Sequence, residues 1–257
     1  MTLERLGAAF AAGGKRAALM PYLMGGFPDL EGSRAAGRAC AEAGADVLEL
    51  GVPFSDPLAD GPVIHEAATA ALAAGVTADG VLEVCADLSA RLPVVLMTYA
   101  NAVLANGAAA YAQRAAAAGA SGLIVPDLPH DEGEELRAAC EAAGLALVPL
   151  VAPNTRSERL EEIGRSARGF VYTVSLAGTT GERGALPSDL PDTVARVRAA
   201  TEVPVAVGFG VSSAAQASEV AELADGVIVG SRVVRAAGEG GAEAVGAVVA
   251  ELAEALG

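Results

Sequence analysis

The sequence predicts an α/β protein, a (β/α)8 TIM barrel forming a single domain over residues 1–257, with one extra helix ahead of the first strand. Three observations carry that prediction. Eight short, near-continuously apolar segments follow one another from Ala18 onward, the pattern of parallel strands covered on both faces. Stretches with helical apolar spacing lie between them, so strand and helix alternate, as right-handed βαβ crossovers require. The length of 257 residues is close to the ~250 that fill one barrel. An open, doubly wound sheet is the alternative; eight units and a uniform composition without a low-complexity linker favour closure.

The elements follow in chain order. Residues 2–12 read as the extra helix, placed to close the bottom of the barrel. The first strand lies in ALMPYLMGG (18–26) and the second in DVLELGVP (46–53). Val81, Val84, Cys85 and Leu88 then fall at i, i+3, i+4 and i+7, which sets them on one helix face. PVVLMTYA (93–100), SGLIVPD (121–127), ALVPLVAP (146–153) and GFVYTVS (169–175) supply strands three to six. VPVAVGFG (203–210) and GVIVGSR (226–232) supply the last two. Loops in α/β units usually span about 2–6 residues, and two connections are longer: FSDPLADG after the second strand and LAGTTGERGALPSD after the sixth. Both leave C-terminal strand ends, the face where barrel enzymes keep their active sites, and are expected to form a substrate lid.

Composition excludes several function classes. Hydrophobic residues make up 53% and charged residues 19%, ample for a large core and unlike a disordered chain. The apolar runs are far shorter than the ~20 residues of a membrane span, and the N-terminus lacks a secretory h-region, so a cytoplasmic location away from membranes is expected. A net charge of −15 repels phosphodiester backbones, and no basic run interleaves with aromatics, so nucleic acid is not an expected partner. Cys40, Cys85 and Cys140 lie in Ala-rich helical stretches with no C-x-x-C pair and read as small core residues of a reducing compartment.

The chemistry is read from a few residues. Strand side chains alternate, so if Leu48 and Leu50 pack on helices, Glu49 points into the barrel near its rim. Burial raises a carboxyl's pKa toward the range useful for proton transfer; the bland alternative is a structural ion pair with an arginine. Asp60, in ADG, is by itself an ordinary turn residue, but beside Glu49 it makes a carboxylate pair whose environments can separate their pKa values. Gly210, Gly230 and Ser231 follow the last two strands, where barrels often bind phosphate through backbone N–H groups; tight strand-to-helix turns would use the same glycines. The single lysine, Lys15, precedes the first strand, which disfavours Schiff-base aldol chemistry. The two histidines, His65 and His130, have no metal-ligand spacing, and no G-x-G-x-x-G follows a strand. A phosphate-bearing substrate handled by carboxylates remains, one that can accept electrons once protonated, such as an electron-rich aromatic ring.

ELGVPFSDPLADGPVI, PVVLMTYANAVLANG, LIVPDLP, VYTVSLAGTTGERGALP, VAVGFGVS and VIVGSRVV together resemble the tryptophan synthase alpha chain. The resemblance runs in order from about Pro21 to Val234. It implies a (β/α)8 barrel that cleaves indole-3-glycerol phosphate to indole and glyceraldehyde 3-phosphate without a cofactor or metal. The indole passes to a beta chain in an α2β2 heterotetramer. It implies Glu49 as the acid-base residue, Asp60 as the partner of the indole N–H, and Tyr172 as an active-site tyrosine. Gly181, Gly210, Gly230 and Ser231 match phosphate-binding positions. Thr180 matches a lid threonine that contacts the aspartate, and Tyr22, Tyr99, Phe209, Leu58 and Ile64 are expected around the indole pocket. The partner would cover Phe54, Asp56, Pro57, Asn101, Leu104 and Pro129.

Three positions depart from the family pattern: Tyr22 stands where many members carry phenylalanine, LAGTTG lacks a common arginine or valine, and His65 replaces a common glutamine. None removes a residue the chemistry needs. Two other readings stay open at this level: an isomerase acting on a sugar phosphate, which the lysine and histidine inventory disfavours, and a non-catalytic chain that only activates a beta partner.

Overall fold

Nine parallel strand segments form one sheet whose first and last members, Ala146–Val148 and Leu150–Val151, are consecutive in the chain. Only Pro149 separates them. Lacking an N–H, it cannot continue the ladder, while its carbonyl accepts from the Tyr172 amide at 2.9 Å. Taken as the two halves of β5, these segments close the sheet into an eight-stranded barrel with β1 (Ala18–Met24), β2 (Leu48–Gly51), β3 (Val94–Met97), β4 (Gly122–Ile124), β6 (Val171–Val174), β7 (Val205–Gly208) and β8 (Gly226–Val229). The computed structural model describes residues 2–11, 14–174, 186–208 and 210–257.

Helices follow the strands: α1 (Thr2–Ala9), α2 (Leu30–Glu42), α3 (Pro62–Ala73), α4 (Ala78–Ser89), α5 (Ala100–Leu104), α6 (Ala108–Ala117), α7 (Glu134–Ala143), α8 (Ser157–Ser166), α9 (Leu190–Ala200), α10 (Ala214–Ala221) and α11 (Ser231–Ala255). Local sequence sets their starts. Asp29 and Thr77 cap α2 and α4 by accepting from Gly32 N and Gly80 N, and Pro62 opens α3, where a missing N–H costs nothing. The first helix ends at Ala9 rather than Ala12, because the Phe10 and Ala11 amides bond three residues back to Gly7 and Ala8 in a tighter closing turn. No single helix among the described residues is long and apolar enough to cross a membrane.

Period-two alternation divides the core into two layers. Leu48, Leu50, Leu96, Leu123, Val207 and Val227 face outward into the cluster shared with the helices, which also buries Cys40, Cys85 and Cys140. Met20, Tyr22, Val47, Val95, Ile124 and Ile228 fill the barrel itself. Leu6 of α1, fully buried, joins that inner cluster, and the rings of Phe10 and Phe170 lie 5.5 Å apart. The N-terminal helix therefore plugs the end of the barrel opposite the C-terminal ends of the strands. Burying so many apolar side chains at ~25 cal/mol per Å2 makes the barrel a rigid frame for whatever its rim carries.

Candidate active site

Glu49 is the charged residue the barrel encloses most fully. It pairs in register with Tyr22 of β1 and Val95 of β3, and it is 1% exposed. Its Oε2 has no hydrogen-bond partner among the described residues. An isolated carboxylate is costly in such a place, so burial first, and the field of Asp60 second, push its pKa up to about 8. Glu49 accordingly holds a proton at neutral pH.

Two glycines shape the space above it. A side chain at Gly51 would collide with the Tyr22 hydroxyl, and one at Gly208 with the Tyr172 hydroxyl. Each inward glycine thus makes room for a tyrosine ring from the adjacent strand, so Tyr22 and Tyr172 lean inward from opposite sides of the barrel strand order. Burial raises both phenols well above their ordinary pKa. Asp60 and then Glu49 add to this for Tyr22, and Glu49 for Tyr172. Both rings stay neutral, donors rather than bases.

Asp60 reaches the same cluster from the loop after β2. It precedes Gly61, the cap residue of α3, where the helix N-terminus favours an anion. The Tyr99 hydroxyl donates to its Oδ1 at 2.7 Å while accepting from the Ala59 amide at 3.2 Å. Phe54 stacks on the Tyr99 ring, centroids 5.2 Å apart at 22°. Asp127 accepts from the Ala100 amide at 2.8 Å, fixing the start of α5 directly after Tyr99. Burial raises the pKa of Asp60, while the Tyr99 hydrogen bond and the His65 charge pull it down. Burial wins, so the pKa of Asp60 is raised on balance; the two carboxyls differ in their surroundings, Glu49 being enclosed with its Oε2 unbonded among the described residues and Asp60 being held by the Tyr99 hydroxyl.

The loops after β7 and β8 are neighbours because those strands pair. Gly210 has φ +99°, a left-handed conformation that glycine adopts freely. Gly230 caps α11 without a side-chain hydrogen bond, leaving the first-turn amides that begin at Ser231 open to an anion. The start of α10, by contrast, is closed by Ser213, which accepts from Gln216 N.

The structure therefore brings Glu49, Asp60, Tyr22, Tyr99 and Tyr172 together at one mouth and sets Gly210, Gly230 and Ser231 on its β7 and β8 side. Ile64 is buried in the inner cluster. Leu58 corrects the sequence reading: at 78% exposure it points to solvent, because its loop turns outward before Asp60 turns back. Gly181, Thr180 and Phe209 lie outside the described residues. Sequence reasoning missed the Tyr99 clamp on Asp60 and the Asp127 cap that supports it. An inward glycine beside an inward tyrosine on the next strand was the available signal for the pocket's shape.

Comparison with known proteins finds relatives over nearly the whole chain. A family model described as the tryptophan synthase alpha chain matches residues 9–256. The alpha chain of Synechococcus elongatus is 46% identical over 244 residues, covering 94% of this chain and 92% of its own. That of Carboxydothermus hydrogenoformans is 47% identical over 236 residues, covering 90% and 88%. Among solved structures, a chain of Mycobacterium tuberculosis tryptophan synthase superposes with a TM-score of 0.92 at 45% identity, covering 98% of both chains. Tryptophan synthase subunit alpha from Legionella pneumophila gives 0.87 at 35% identity, covering 99% of this chain and 96% of that one.

Proposed function

This chain belongs to the tryptophan synthase alpha chain family, and from that premise we propose how its residues perform the family's reaction. The chain is a carbon–carbon lyase that cleaves indole-3-glycerol phosphate to indole and glyceraldehyde 3-phosphate, and its partner is the beta chain, which receives the indole. The observation that carries the residue assignment is the sealed carboxyl of Glu49, whose Oε2 has no hydrogen-bond partner among the described residues and whose pKa is pushed up to about 8.

Glu49, protonated at neutral pH, delivers its proton to the ring carbon that bears the glycerol chain. The ring becomes an indoleninium-type electron acceptor with positive charge at its nitrogen, and the carboxylate of Asp60, held in place by the Tyr99 hydroxyl, stabilises that N–H. The bond from the ring carbon to the glycerol carbon then breaks toward the ring, restoring aromaticity, as the hydroxyl on that carbon loses its proton and becomes the aldehyde. Glu49, now a carboxylate, takes this proton, so protons and electrons balance and the acid is regenerated. Such acid-base assistance is worth ~10²–10⁴ in rate. Tyr22 and Tyr172 bound the ring as neutral walls, with Phe209 and the Thr180 lid, while Gly181, Gly210, Gly230 and Ser231 hold the phosphate through backbone N–H groups and the α11 N-terminus.

The exposed rim beside this site suits the beta chain. Leu104 is 55% and Leu58 78% exposed, next to Phe54 and the loop that carries Asp60. Docking there would hold the Asp60 loop in its competent position within an α2β2 assembly. We place the chain in the cytoplasm as one domain over residues 1–257. The test is indole release from indole-3-glycerol phosphate, with the chain alone and with beta chain titrated in. Slow release that rises about 10 to 100-fold is expected if the competent loop state is populated at ~1–10% in the free chain. No indole in either condition would leave only a non-catalytic activator and refute the assignment.

A further inference from the structure

The ring of helices has a gap. Among the outward-facing strand residues, Leu48, Leu50, Leu96, Leu123, Val207 and Val227 are fully covered, yet Leu147 on β5 is only half-buried. The reason is that α7 packs on α6 and α8 on α9, whereas α7 and α8 hardly touch. Between them lies a cavity of about 400 Å3, within the size range of small-molecule sites. Leu147, Ile163, Leu128 and Val125 line its apolar part.

Its polar groups are unevenly matched. Arg159 pairs with both carboxyl oxygens of Asp131 and lies 3.0 Å from Glu162, while Asp127, the cavity's other carboxylate, accepts from the Ala100 amide. Arg137 of α7, half-buried on the same wall, donates to the His130 carbonyl at 3.1 Å and sits 3.3 Å from His130 Nδ1. It meets no carboxylate among the described residues. A guanidinium that faces an apolar cavity and touches no carboxylate has donors to offer an anion, and its planar fork matches a carboxylate. The lowered pKa of His130, which burial and then Arg137 and Arg159 depress against Asp131 and Glu162, agrees with a locally positive field.

We propose that this cavity binds a small aromatic monocarboxylate, with the ring on Leu147 and Ile163 and the carboxylate on Arg137. The site lies outside the barrel and does not depend on the reaction assigned to it. The test titrates 4-fluorophenylacetate into the full chain, following the fluorine signal and the protein's methyl resonances by NMR, with neutral 4-fluorophenylacetamide as the control. Saturable one-site binding with Kd on the order of 1 mM or tighter is expected, moving the Ile163 methyl and leaving Ile64 at the barrel mouth unmoved. The amide, and the acid with Arg137→Gln, should bind about tenfold or more weakly, and Leu147→Trp, checked for an unchanged melting profile, should abolish binding by filling the cavity. No saturation by ~10 mM, equal binding of acid and amide, affinity indifferent to Arg137→Gln, or shifts at Ile64 in place of Ile163 would each overturn the proposal. Arg137→Gln carries the test by itself should Leu147→Trp fail to fold.

Discussion

Glu49→Gln should stabilise the protein, and by an amount that depends on pH in a defined direction. In the unfolded chain Glu49 ionises near its ordinary 4.5, in the barrel near 8. Below pH 4.5 both states hold the proton and the residue carries no penalty. Between the two values the unfolded state gives up its proton and the folded state does not, so rising pH costs stability at about 1.4 kcal/mol per pH unit. Above pH 8 both are ionised and the full penalty, about 5 kcal/mol as an upper estimate, is present. Glutamine is isosteric and never charges. The variant should therefore match its parent near pH 4.5 and gain on it steadily to pH 8. At roughly 2–4 °C per kcal/mol for a chain of this size, its melting temperature should lead by up to roughly 10–20 °C at pH 9. Because burial is the larger cause and Asp60 the smaller, most of the gap should survive in an Asp60→Asn background. Parallel thermal and urea melts at five pH values from 5 to about 9 measure it. A difference that stays flat, or that is largest at pH 5, would refute the idea that burial holds the proton on Glu49.

Two further perturbations test other parts of the site. Asp60→Asn should cut turnover by about 10²-fold or more with little change in substrate affinity, since the charge it opposes develops along the reaction; Tyr99→Phe, which removes the 2.7 Å hydrogen bond to Asp60, should cost about tenfold in the same steady-state assay. A loss confined to KM in either variant would contradict the role given to Asp60. Gly230→Ala should melt like the parent, because the added carbon would make only ordinary contacts with Ile64 and Tyr22. It should nonetheless weaken glycerol 3-phosphate binding in a calorimetric titration, and unchanged affinity would move the phosphate away from α11.

How far the sequence reached depended on whether a feature was periodic. All eight strands were legible because parallel strands with both faces covered are continuously apolar, and the inward aim of Glu49 followed from alternation between Leu48 and Leu50. The break in β5 was not foreseen, although Pro149 was in plain view. Two half-strands serving different neighbours look the same in sequence as one. Loop residues were harder. Leu58 read as pocket lining and is exposed, because the path of a loop is set by its tertiary anchors rather than by a period. Asp60 read as useful only beside Glu49; what fixes it is a tyrosine 39 positions away, a pairing that exists only once β2 and β3 lie side by side. The gap over Leu147 was likewise invisible, since the packing of α7 against α8 is not written in either helix alone.

In the proposed mechanism the buried carboxyl of Glu49 supplies the proton that starts the cleavage. That step is tested most directly by single-turnover indole release from Glu49→Gln in the presence of saturating beta chain, with substrate binding measured in parallel. The variant is expected to fold, to bind substrate within a few-fold of the parent, and to release indole slower by two or more orders of magnitude, within the ~10²–10⁴ range of general acid-base groups. Turnover near the parent rate would contradict it and move the acid elsewhere.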